Sequence, residues 1–378
     1  MQNPSRRSLI RATLGLAGLG SLPAWAQTSA PNTATRPATL AQIVDTSPGQ
    51  IDVSKNFLTG ARAAWQDINA KGGLRGKPVR HLVLEVDGSL PSLRTALDAL
   101  KNESQCLALF GTAGERAAVA LASSLTREMP ELAHVAPWLQ NPATDAGSTT
   151  FPIFASRDDQ ISHAVRSLSV MGVTELGAVY STAAEKNAYQ LSLEKVATAL
   201  KMRLRSYSPA TDLQQLGKTL AQDSPRILIF LGGTPELVQF TQGLDKQTTQ
   251  RYVVAMADVN LQTVLQLAST RQAPVIATQV VPLVNSSIPI VRAYREILGR
   301  LYDEPPTPQS LAGFISARYT FETLLGIDGP VNRSTALQAF QRRSAIDLGG
   351  FQINLDAKTY SGTYVTQSMI STDGRLLG

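Results

Sequence analysis

The chain reads as an α/β protein made of two doubly wound, Rossmann-like lobes. Three observations carry that reading. Apolar strand-like runs alternate with amphipathic helical runs from residue 39 almost to the end, the pattern of parallel sheets with helices on both faces. The alternation falls into two series, broken at Phe151-Pro152-Ile153-Phe154. The chain has 378 residues, more than one hydrophobic core usually serves, so two domains are expected.

The first series opens with a strand over 40–44. In the helix that follows, Phe57, Ala61, Ala64, Trp65 and Ile68 recur at helical spacing and form one apolar face. Asp52 and Ser54 stand before it as candidate caps, and Gly72-Gly73 supply the backbone freedom that ends it. Gly76-Lys77-Pro78 turns the chain into a strand over 79–86, completing one βαβ unit. A helix over 91–101 follows, striped by Leu93, Ala96, Leu97 and Leu100, then a strand over 106–110, a helix over 114–128 and a strand over 132–136. The second series begins near Asp158, where Asp158-Asp159 favours a helix start. Its strands are expected over 176–180, 202–207, 227–231, 252–256 and 274–281, with helices between them. The tail departs from alternation: two helices, 289–302 and 309–325, adjoin without a strand, and a third is expected over 334–342.

Composition narrows the function. The formal charge is +6, of which Arg6, Arg7 and Arg11 carry half, so a chain beginning at Gln27 would carry +3. No run of Lys and Arg interleaved with aromatics follows, which argues against nucleic-acid binding. Cys106 is the only cysteine and lies in a buried-strand pattern, so no internal disulfide can form, and a small core residue is its expected role. His81, His134 and His163 have no metal-like spacing. Neither a Gly-x-Ser-x-Gly elbow, a Walker loop nor a GxGxxG after the first strand is present. No metal, cofactor or enzymatic activity is expected.

At the N-terminus, Ser5-Arg6-Arg7-Ser8-Leu9-Ile10-Arg11 resembles a twin-arginine export signal. A glycine-rich apolar run over 12–22 and an Ala24-Trp25-Ala26 cleavage pattern follow. The run is short of the roughly 20 apolar residues a membrane span needs. Residues 1–26 are therefore expected to be a signal peptide, cleaved after Ala26 on export to a bacterial periplasm, and 27–38 a flexible leader.

The order "helix ending Asp67-Ile68-Asn69, Gly72-Gly73, Leu74-x-Gly76-Lys77-Pro78, strand, Asp87" resembles the first unit of the periplasmic solute-binding proteins typified by the leucine/isoleucine/valine-binding protein. The resemblance extends from about residue 39 to the end. It implies the type I periplasmic-binding-protein fold, in which the chain crosses between lobes three times. Those crossings would fall near 153–156, 280–283 and 326–331. One lobe would then comprise 39–153 plus 283–328, and the other 154–282 plus 329–378.

In such sheets ligands bind beyond the carboxyl ends of the strands. The candidate loops are Thr46-Ser47-Pro48-Gly49-Gln50, Gly111-Thr112-Ala113-Gly114-Glu115, Pro137-Trp138-Leu139-Gln140, Tyr180-Ser181-Thr182, Gly232-Gly233-Thr234 and Ala257-Asp258-Val259-Asn260. The second of these precedes a helix, so its N–H groups could converge on a small anion. By resemblance, that loop would dock an amino acid's carboxylate, although Glu115 would repel an anion unless it turns away. Trp138 replaces the family's ligand-holding hydroxyls, and Tyr180-Ser181-Thr182 lacks the family's aspartates. Asp258 stands where it could meet an ammonium or hydroxyl.

The expected ligand residues are thus Ser47, Thr112, Ala113, Trp138, Tyr180, Ser181, Gly232 and Asp258. Each has a plainer reading: Thr112 and Asp258 as helix caps, Trp138 as a packed lid, Tyr180 as core. The departures favour a larger or flatter ligand, such as an aromatic acid, over a standard α-amino acid. The function expected is a receptor that clamps an amino acid, amide or carboxylate between two lobes and passes it to the permease of an ABC importer. The alternative is the same clamp feeding a signalling membrane protein, without transport.

Overall fold

The computed structural model describes residues 37–140, 148–267, 273–354, 362–370 and 376–377; the expected signal peptide and its cleavage site lie outside them. Residues from Pro37 on form one compact unit. In chain order its elements are β1 (Thr39–Asp45), α1 (Ile51–Ala70), β2 (Arg80–Val86), α2 (Leu90–Asn102), β3 (Cys106–Phe110), α3 (Glu115–Glu128), β4 (Ala133–Val135) and β5 (Thr150–Phe151). The second series runs α4 (Arg157–Val170), β6 (Glu175–Tyr180), α5 (Ala183–Ala199), β7 (Arg203–Ser206), α6 (Leu213–Thr219), β8 (Ile227–Leu231), α7 (Thr234–Leu244), β9 (Tyr252–Ala255), α8 (Leu261–Leu267) and β10 (Val275–Gln279). The tail contributes α9 (Pro289–Leu301), α10 (Pro308–Leu325), α11 (Arg333–Gln341), β11 (Ile346–Asp347), β12 (Gln352–Ile353), β13 (Thr366–Ile370) and β14 (Leu376–Leu377).

Two sheets result. The first is parallel throughout, in the order β2-β1-β3-β4-β5. The second runs β14-β13-β10-β9-β8-β6-β7, parallel except that β13 lies antiparallel to β10 and β14 antiparallel to β13. In both, strand order reverses beside the first strand of the series (β1 and β6), which opens a crevice at the strands' carboxyl ends.

The expected face of α1 is buried: Phe57, Ala61, Ala64, Trp65 and Ile68 are each at most 2% exposed. That helix packs on α9 and α10, so the adjoining tail helices return to the first sheet. The approach of α1 to α10 depends on two glycines. A Cβ on Gly60 would run into the Ser310 carbonyl, and one on Gly313 into the Phe57 carbonyl. At the end of α1, Gly73 adopts φ +68° where a Cβ would collide with the Lys77 backbone.

Three local expectations need correction. The helix is capped by neither Asp52 nor Ser54: α1 begins at Ile51, so Asp52 sits in its first turn and Ser54 inside it. The α8 cap is Asn260 rather than Asp258, its Oδ1 accepting the Gln262 N–H at 3.0 Å. Thr112 does not cap α3, whose N-cap is Gly114. The Asp158-Asp159 reading holds, since Asp159 and Ser156 form a reciprocal capping box on α4.

The last crossing also falls later than 326–331. Helix α11 packs on β3 and β4, Phe340 meets Phe151 and Tyr319, and Arg333 donates to the carbonyls of Cys106 and Glu103. Leu348, Phe351 and Ile353 join the same core. Residues 329–353 thus lie with the first sheet, and the chain reaches the second sheet only at β13. The reason is apolar: Ala336 and Phe340 bury a face that the first core completes.

Candidate functional site

The strand-end loops divide into a dry base and a charged cavity. At the base, Phe57 from α1, Trp138 after β4 and Phe154 at the first crossing pack edge to face or tilted, with centroids 5.5–6.3 Å apart. Trp138 is 1% exposed, and its indole N–H donates to Asp258 Oδ1 at 3.1 Å. Thr112 is buried and shares its hydroxyl with His134 Nε2 at 2.8 Å, while the other ring nitrogen faces Thr150 Oγ1. Burial lowers the His134 pKa to about 3. Ala113 continues the sheet by bridging to Val44, and Tyr180 is wholly inside the second core.

Above the base lies a cavity of about 800 Å³ with walls from both sheets. Pro48, Gly49 and Gln50 after β1 and the start of α3 form one side; Ser181 and Thr182 after β6 and Gly232 and Gly233 after β8 form the other. Of the eight expected ligand residues, Ser181, Gly232 and Asp258 line it, whereas Ser47, Thr112, Ala113, Trp138 and Tyr180 do not. Ser47 instead closes a turn through its N–H to Asp45 Oδ1.

The centre of the site is a residue that strand-end reasoning passed over. Arg157, first residue of α4, is 1% exposed. Its guanidinium pairs with Asp258, with Glu115 at 3.2 Å and with Glu185 at 3.3 Å, and lies 5.1 Å from the Tyr189 ring centroid. Burial and the helix N-terminus both oppose that charge. Burial pulls its pKa down, but Glu115, Tyr189 and Glu185 together outweigh it and hold Arg157 above its ordinary value. Glu185 shifts up because its own burial, with help from Glu115 and Glu236, outweighs Arg157. The one available signal was the placement of Arg157 directly after the Phe151–Phe154 break, in the helix turn that opens the second series.

The loop before α3, expected to collect N–H groups for an anion, spends three of them internally. Gly111 N–H goes to Val135, Ala113 N–H to Ile43, and Glu115 N–H to Gln50 Oε1 at 3.2 Å. The cause is tertiary: the loop lies on the sheet instead of standing above it.

A buried amide girdle joins the two sheets beneath the cavity. Gln160 donates to Gln140 at 2.9 Å and accepts from the Ala257 N–H and Thr278, each at 2.9 Å. Gln309 donates to the Ala257 and Val259 carbonyls. At the outer edge Asp52 accepts from Asn260 and Thr263. No group of His, Cys, Asp and Glu among the described residues is placed to hold a metal ion. Nor is any described helix long and apolar enough to cross a membrane.

The comparisons agree with this architecture. Curated protein sequences give no match. Among solved structures, an extracellular ligand-binding receptor from Verminephrobacter eiseniae superposes with a TM-score of 0.80 at 18% identity, covering 90% of this chain and all of the other. A branched-chain amino acid ABC transporter protein from Thermus thermophilus gives 0.76 at 12% identity over 90% and 95%. A leucine-binding protein from Thermotoga maritima gives 0.75 at 14% over 90% and 99%. At such identities the likeness establishes the fold. A sequence profile of the periplasmic binding proteins matches residues 39–369, and the chain belongs to that family.

Proposed function

We propose that the protein is a non-catalytic periplasmic receptor. It clamps a small molecule in the cavity between its sheets and presents the closed form to an ABC importer. The observation that carries this reading is the cavity itself, which sits at the carboxyl ends of both sheets with wall residues from each. A ligand held between two lobes favours their closed arrangement only if it touches both. Ser181, Gly232 and Asp258 are proposed contacts from one side, and Gln50 and Glu115 from the other. Export through the twin-arginine route, with cleavage after Ala26, is part of the same reading.

The test is thermal unfolding of purified protein, first unfolded and refolded to strip carried-over ligand. The panel comprises branched-chain and aromatic amino acids, amides, amines and carboxylates. A ligand present at 100 times its dissociation constant adds about 2.7 kcal/mol, which raises the melting midpoint by roughly 4 °C for a chain this size. A cooperative melt that no compound shifts would overturn nutrient capture and favour the signalling alternative.

A further inference from the structure

The chemistry of the cavity wall selects among ligand classes. Five carboxylates line it (Asp52, Glu115, Glu185, Glu236 and Asp258) against two guanidiniums, Arg116 and Arg157. Arg157 is already engaged by three of those acids, and Arg116 is exposed at the rim. Of the helices that begin at the cavity, α3, α5 and α7 each carry a glutamate in the first turn. Such positions can bind anions elsewhere. Here one N–H at each helix start is also taken or missing: Glu115 N–H goes to Gln50, Glu185 N–H to Thr182, and Pro235 has none. A ligand carboxylate would therefore meet net negative charge at these helix ends, with the Glu115 and Glu185 N–H groups already engaged.

We propose that the cavity takes a small organic cation bearing N–H donors and no free carboxylate: an alkylammonium, amidinium or guanidinium compound. The inference rests on the cavity being the ligand site and deepens that reading. A quaternary ammonium fits less well, because such groups are held by open aromatic faces. Tyr189 is the only aromatic among the cavity-lining residues, and Arg157 occupies its ring face. A second observation is independent of the acids. Arg157, buried and lining the cavity, has an Nε–H without a partner, which suits a ligand that also offers an uncharged acceptor such as a hydroxyl or amide oxygen. The apolar body of the ligand would lie along Val53, Leu93 and Val119.

Refolded protein is titrated calorimetrically at low salt with agmatine, putrescine, choline, leucine and benzoate, at pH 7.5 and 5.0, alongside Glu236→Gln. Agmatine or putrescine is expected to bind at least tenfold more tightly than the other three. Glu236→Gln should weaken that binding at least tenfold without changing the melting midpoint. Binding should also weaken from pH 7.5 to 5.0, the direction in which burial, by raising the Glu185 pKa, moves that carboxyl toward its neutral form. If leucine or benzoate binds more tightly than either amine, the cation class is wrong and the receptor reading stands. Choline binding as tightly as agmatine overturns the N–H requirement. Amine binding indifferent to Glu236→Gln overturns the assignment to this cavity. No heat from either amine overturns the proposal, whereas the receptor reading falls only with the wider thermal panel.

Discussion

The base of the cleft and the cavity above it are made from opposite materials. Phe57, Trp138 and Phe154 are dry and tightly packed, and the polar atoms among them are partnered within the protein. The cavity wall is rich in carboxylates, partly open, and organised by a single buried arginine. Both follow the same strand ends, so position in the topology alone does not make a residue a ligand contact. What separates them is depth: Thr112, Ala113 and Trp138 turn inward and join the core, while Glu115, Ser181 and Glu185 remain at the cavity.

The largest effect expected from breaking this contrast is at the base. Trp138→Ala should cost about 3–5 kcal/mol of stability by leaving a void among the aromatics, read as a lowered denaturation midpoint. Had Trp138 been chiefly a ligand wall, affinity would fall while the midpoint held. Arg157→Met comes next, at about 3 kcal/mol near pH 7, because Asp258, Glu115 and Glu185 lose their shared cation in a partly buried site. That loss should shrink as pH falls, because burial raises the Glu185 pKa and moves it toward its neutral form, and a pH-independent loss would sink the electrostatic account.

His134 tests the base by pH. Its folded pKa of about 3 lies below the usual 6.5, so between those values the unfolded chain binds the extra proton. The stability it contributes is complete above pH 6.5 and is lost as pH falls through that window, by roughly 2–3 kcal/mol at pH 4.5. His81, lowered to about 4 by burial and then by the Arg62 charge, acts in the same direction; Glu185, shifted upward, acts in the opposite one. Melting midpoints between pH 7 and 4.5, with the imidazole titrations followed by NMR, check both the sign and the window. The smallest effect belongs to the cavity: Glu236→Gln should alter stability by less than about 0.5 kcal/mol, since this partly exposed side chain has no ion pair among the described residues.

Much of the fold was legible in the chain because it rests on local periodicity. The apolar face from Phe57 to Ile68, the stripe from Leu93 to Leu100 and the strand run at Cys106 each announce their burial within a few residues of sequence. The site was less legible. Topology brought Ser181, Gly232 and Asp258 to the cavity wall, yet it could not tell that Thr112 would bond His134 or that Trp138 would reach Asp258 some 120 positions away. Helix α11 was likewise placed with the wrong sheet, because an apolar face shows that a partner exists and not which one.

The sequence by itself thus determined the α/β class, the two series and most element positions, since these depend on side-chain spacing along a single helix or strand. Only the tertiary structure decided that Arg157 would gather Glu115, Glu185 and Asp258 around it. Ion pairing and burial between residues tens of positions apart depend on distances that chain order does not encode.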